Sequence, residues 1–173
     1  LYREGAVLVD AKGERFTDEL ANPALDLPSR PDKIGYILFD RRVAKKFSKW
    51  PHFISTAPGI AYAYLADYKR NRKDVYHKAG SLAELAEDLD MDAAVLEASI
   101  KAYNDALPEG HEPIAKRPFV ALGPVKSSII IVEGGVAVDE NLRVLADDTP
   151  IPGLYGAGSS GQGRLLLEGH RHH

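Results

Sequence analysis

The chain has 173 residues, 45% apolar and 27% charged, an ordinary soluble globular composition with room for one domain with a proper core or for one and a half small ones. A net charge of -3 gives no global attraction to nucleic acid or to an anionic membrane. The absence of Cys excludes disulfide and thiolate chemistry and favours a reducing, cytoplasmic setting.

Gly5 to Phe16 alternates apolar residues around an Ala-Lys-Gly-Glu turn, which predicts a hairpin. The chain opens on Leu1 rather than Met, and both ends read as cuts in a longer protein. No apolar run approaches the roughly 20 residues of a membrane span. Asn22 to Asp32 holds Pro23, Pro28 and Pro31 and reads as a loop. Ile34 to Asp40 is a compact apolar strand, and Arg41 to Phe47 a short basic helix. Pro51 to Pro58 reads as irregular. Ile60 to Arg72 reads as a helix with a basic end, KRNRK, at residues 69–73. Cations there complement the helix dipole, which explains them as solvated capping charges. A nucleic-acid patch is the sharper alternative, diluted by Asp67 and Asp74.

Ser81 and Glu84 form a capping box ahead of Leu82, Leu85, Ala86 and Leu89. Asp92 caps a second helix whose apolar stripe is Leu96, Ile100, Tyr103 and Leu107, ended by Pro108-Glu109-Gly110. After a Pro-interrupted loop, residues 127–145 read as a meander with turns at Gly134-Gly135 and Asp139-Glu140-Asn141. Ile151 to Gly158 is a short final strand. The order of strands, helices, strands predicts an α+β fold with antiparallel sheet rather than a doubly wound one.

Within that last stretch, Gly156-Ala157-Gly158-Ser159-Ser160-Gly161 spells G-x-G-x-x-G. The dinucleotide fingerprint needs a helix, a second strand and an acidic residue about 20 positions on, more than Gly161 to His173 offers. Gly156, Gly158, Gly161 and Gly163 either form a tight surface turn or let backbone N–H groups approach a ligand. His170, His172 and His173 have poor metal-ligand spacing and read as a frayed end. The acidic pairs Asp139-Glu140 and Asp147-Asp148 sit in turn sequence.

Four segments in order resemble the flavin-dependent fumarate reductases and their relatives, which include ketosteroid and tricarballylate dehydrogenases. GAVLVDAKGERFTDE is similar to the opening of that family's cap domain, and residues 81–107 to its helical pair ending in an aromatic-Asn dipeptide, here Tyr103-Asn104. GGVAVDENLRVL and IPGLYGAGSSGQG resemble the return into the flavin domain. The resemblance implies a cap or substrate domain at residues 1–125 and a strip of the FAD-binding domain at residues 126–173. It implies flavin contacts at Gly158, Ser159, Ser160, Gly163, Gly169 and His170, with Arg164, His170 and Arg30 as candidate catalytic residues for hydride transfer beside a carbonyl or carboxylate. The pyrophosphate fingerprint of the family precedes the cap, so the chain by itself is expected not to retain FAD. It is also expected to expose Leu154 and Leu165 to Leu167, inviting dimer contacts.

Several positions depart from the fumarate reductase pattern. No His precedes the Gly-Gly turn, where Ile129 to Glu133 stand. The place of the proton-delivering cap Arg is Pro23, with Arg30 the nearest alternative, and the Glu after the Ala-Gly pair is Ser159. These departures imply a small-molecule substrate larger or less charged than a C4 dicarboxylate. The rival reading is a non-catalytic domain that binds protein or nucleic acid through the helical pair and the KRNRK end.

Overall fold

The structure is a computed structural model and describes residues 1–57, 60–108, 110–128 and 135–161. It divides into two units, Leu1–Ser127 and Ser128–His173.

In chain order the first unit contains β1 (Val7–Asp10), α1 (Pro23–Asp26), β2 (Gly35–Phe39), α2 (Arg41–Lys46), β3 (Ser55–Ala57), β4 (Ile60–Ala63) and α3 (Leu65–Asn71). Then come β5 (Tyr76–Ala79), α4 (Leu82–Asp88), α5 (Ala93–Asp105) and β6 (Phe119–Val125). Its main sheet has the order β1-β2-β6-β5, with every pair antiparallel. Alternation along the strands sorts the core onto two faces. Val7, Val9, Leu38, Phe119 and Ala121 face Leu85, Leu96 and Ile100 of α4 and α5. Ala6, Phe39, Val120 and Leu122 face Val43, Phe47 and Leu65 of the α2–α3 side.

The helix starts follow from local capping. Asp40 accepts from the N–H groups of Arg42 and Val43 at the head of α2. Ser81 accepts from Glu84 N–H, while the Glu84 carboxylate reaches back to Gly80 N–H, one residue earlier than in the standard box. Asp92 accepts from Ala94 and Val95 N–H at the head of α5. That helix buries Leu96 and Ile100 and ends at Asp105, before Leu107.

Five sequence expectations are corrected. The stretch Pro51 to Pro58, expected to be irregular, contains β3, which is strand because β4 pairs with it. The arm of the expected hairpin after Gly13 is not a strand: only an isolated Val9–Arg15 bridge forms, and the ladder partner of β1 is β2. Asn22 to Asp32 is a chain of short helical turns, because its prolines stand in their first positions, where a missing N–H costs nothing. Residues 60–63 are strand rather than helix. α3 starts only at Leu65, where Asp67 accepts the N–H of Tyr64. The expected loop after Pro108 contains β6, an interior strand of the sheet.

The second unit holds β7 (Arg143–Ala146) and β8 (Thr149–Tyr155), paired antiparallel, with a bridge from Val138 to Val144. Asp147 and Asp148 link them with φ of 47° and 69°, the left-handed pair that matches hairpin twist. The first strand and Gly134 of the expected meander lie outside the described residues. Among the described residues no helix is long and apolar enough to cross a membrane.

Candidate functional site

The glycines of the second unit divide by role. Gly156 and Gly161 are buried. A Cβ on Gly156 would stand 2.9 Å from Val136 Cγ2 and 3.3 Å from Val138 Cγ1. One on Gly161 would stand 2.7 Å from the carbonyl oxygen of Gly156. Gly156 is therefore glycine because valine side chains press on its backbone, and Gly161 because the backbone of Gly156 does. Gly158 has φ +63° with nothing within 4 Å of a Cβ position, so conformation alone selects glycine at that point.

The turn is pinned from both sides. Gly156 N–H donates to Leu142 O, and Val136 N–H to Ser160 O. Asp139 shapes the preceding loop: it accepts from the N–H groups of Asn141 and Arg143 and from Arg143 Nε at 2.7 Å. The guanidinium of Arg143 holds that carboxyl below the usual carboxylate range. A 3-10 turn, Gly158–Gly161, follows β8 directly. The opening N–H groups of a helical turn have no acceptor inside it, so Gly158 and Ser159 lie where backbone donors can meet a ligand. Gly163, Arg164, Gly169 and His170 lie outside the described residues, as do Leu165 to Leu167, His172 and His173.

Arg30 belongs to the first unit and is held there. Its Nε and Nη2 donate to Asp10 Oδ2 at 3.0 and 2.6 Å, and Nη2 also donates to Glu14 Oε2 at 2.6 Å. Asp10 is fully buried, and its other oxygen accepts from the N–H groups of Lys12 and Glu14. Its side-chain hydrogen bond to Asp10, above all, raises the pKa of Arg30, and the guanidinium also lies over the ring of Phe16. A second pair follows the same pattern: Arg15 donates twice to Glu19, which also accepts from Leu8 N–H. Glu19, Asp10 and Asp40 are buried carboxylates that no sequence motif singled out, although Asp40 stands just before a helical pattern, which is an N-cap signal. In the KRNRK run, Arg70 pairs with Asp67 and Arg72 with Asp74.

A family model described as the FAD binding domain matches residues 1–163. NADH:fumarate oxidoreductase of Klebsiella pneumoniae is 28% identical over 169 residues, covering 89% of this chain and 16% of the relative. Urocanate reductase of Eggerthella lenta is 24% identical over 173 residues, covering 88% of this chain and 26% of the relative. The chain thus spans about a quarter or less of the length of these relatives. A solved 3-ketosteroid delta1-dehydrogenase from Sterolibacterium denitrificans shares the fold over 92% of this chain and 34% of its own, with a TM-score of 0.60 at 24% identity. The chain belongs to the FAD-binding domain family, whose cofactor is FAD.

Proposed function

We propose that the chain is part of a flavin-dependent oxidoreductase that moves a hydride between FAD and a C–C bond next to a carbonyl or carboxylate. The family match across residues 1–163 carries this reading. The names of the relatives support it, since fumarate and urocanate both place a double bond beside a carboxylate. In this reading residues 1–125 are the cap and substrate domain, and residues 126–173 a strip of the FAD-binding domain.

The residues present fit the cofactor at one point: the open face of Gly158 with the exposed start of its turn. Gly158, Ser159 and Ser160 would hold FAD with Gly163, Gly169 and His170, their N–H groups favouring negative charge on the ring. FAD, when bound, supplies the site for hydride transfer. Arg164 binds the carbonyl or carboxylate of the substrate and stabilises enolate-like charge, and His170 holds the proton to be delivered. Arg30 is a candidate for the same electrostatic role, although its donors are already committed to Asp10 and Glu14.

Full-length protein should purify yellow with a flavin absorbance band. Replacing Arg164 by Ala in it should cut turnover far more than flavin content; equal loss of both would remove Arg164 from the chemistry. The 173-residue chain itself should not bind FAD tightly, because few contacts would offset the entropy of ordering a glycine-rich strip. Micromolar quenching of flavin fluorescence on titration would overturn that. Leu154, 47% exposed, is the described part of an apolar edge through which copies would pair, and a monomer in sedimentation at high concentration would count against it.

A further inference from the structure

The first unit carries a cationic groove unrelated to the glycine turn. It encloses about 710 Å³ above the sheet edge and is bounded by α2, α3 and β5. Arg41, Ala44, Lys45 and Ser48 fall at helical spacing along one face of α2 and its continuation, and line one wall. Lys69 of α3 stands on another. Tyr76 and Lys78 alternate onto the same face of β5, the edge strand of the sheet. The floor is apolar, made by buried Leu65 and Val120.

The lining contains Arg41, Lys45, Lys69 and Lys78 and no carboxylate. None of these four side chains makes an ion pair with a described residue, whereas Arg15, Arg30, Arg42, Arg70 and Arg72 of the same unit are paired. The acids nearest Lys69 in sequence, Asp67 and Asp74, are taken by Arg70 and Arg72. Four like charges gathered around one hollow repel each other, and no described carboxylate pairs with them. Burial raises the pKa of Tyr76, so its phenol stays a neutral donor over the floor.

We propose that this groove binds a compact polyanion with a flat apolar body, of the nucleoside polyphosphate class: phosphates among Arg41, Lys45, Lys69 and Lys78, and the base over Tyr76, Leu65 and Val120. The volume lies within the roughly 300–1,000 Å³ of small-molecule sites. A nucleic-acid strand fits less well. The hollow adjoining the groove past Lys78 sets Glu84 and Asp88 against Lys78 and Arg117, so it gives further phosphates no net attraction, and the chain is acidic overall. The proposal stands apart from the flavin reading, since every residue it uses lies in Leu1–Ser127 and none in the glycine turn.

Calorimetric titration of the 173-residue chain with ADP at low salt tests it. Saturable one-to-one binding is expected, weakened about tenfold in K45Q/K69Q because two phosphate-facing charges of modest individual worth are lost. K73Q, which removes a lysine outside the groove lining, should leave the affinity unchanged. Adenosine and pyrophosphate should each bind more weakly than ADP, since each lacks one half of the contacts. The proposal is overturned if ADP does not bind, if K45Q/K69Q binds it as well as the parent chain, or if pyrophosphate alone matches ADP. A single-stranded oligonucleotide that outcompetes ADP would replace the small ligand with nucleic acid. Circular dichroism of K45Q/K69Q checks that these exposed substitutions leave the fold intact.

Discussion

Arg30 and Asp10 provide the sharpest test of whether a candidate catalytic cation is free for chemistry. Asp10 is fully buried and holds two guanidinium donors and two backbone N–H groups. Asp10→Asn keeps an acceptor for the backbone but removes the charge facing Arg30. A hydrogen bond to a charged group contributes about 1.5–3 kcal/mol, so a loss of about 2 kcal/mol is expected. Arg30→Gln leaves the buried carboxylate without its cation. The usual cost of about 3–5 kcal/mol should fall to the lower end, because the Arg30 side chain is 26% exposed and water can approach. The double variant should recover part of the sum, a coupling of about 1–3 kcal/mol. Urea unfolding followed by circular dichroism at 222 nm measures all four corners, since the described α-helices all belong to Leu1–Ser127. Glu14→Gln is the control: its carboxylate is 52% exposed, so less than about 1 kcal/mol should be lost. A coupling below about 0.5 kcal/mol would refute the reasoning and return Arg30 to the pool of cations available to a substrate.

Gly161→Ala should disturb the second unit more than Gly158→Ala. The first forces a Cβ to 2.7 Å from a backbone oxygen, while the second meets open space and only the strain of φ +63°, about 1 kcal/mol. Thermal unfolding of the full-length protein should rank the two in that order, and the reverse order would mean that the packing around Gly156 is misread. Burial, with a smaller contribution from Glu19, pushes the Tyr2 phenol up to about 12. The fold therefore favours the protonated form. The contribution of Tyr2 to stability should be complete below pH about 10, its usual value, and decline as pH rises towards 12. Ultraviolet titration of Tyr2→Phe against the parent chain should remove the latest-ionising phenol, and loss of an early one instead would contradict the burial.

The sequence by itself determined the elements whose signals are local. Ser81 and Asp92 announce α4 and α5 because a cap is a bond to an N–H two or three residues away. The compact apolar run of Ile34 to Asp40 announces β2, and the ordered segments around Tyr103-Asn104 and Gly156 carry the family resemblance. Tertiary structure decided what depends on distant partners. β6, preceded by Pro118 and containing Pro124, looks like a loop in isolation. It is a strand because β2 and β5 supply partners on both sides, and because Val120 and Ala121 find apolar layers on opposite faces. Residues 60–63 share the helical composition of α3, yet pairing with β3 turns them into strand. Arg30 meets Asp10 across 20 positions, and Lys69 reaches the same groove as Arg41 and Lys78. No short window of sequence contains such pairs, because the burial that makes a charge costly or a groove cationic exists only after the chain has folded around it.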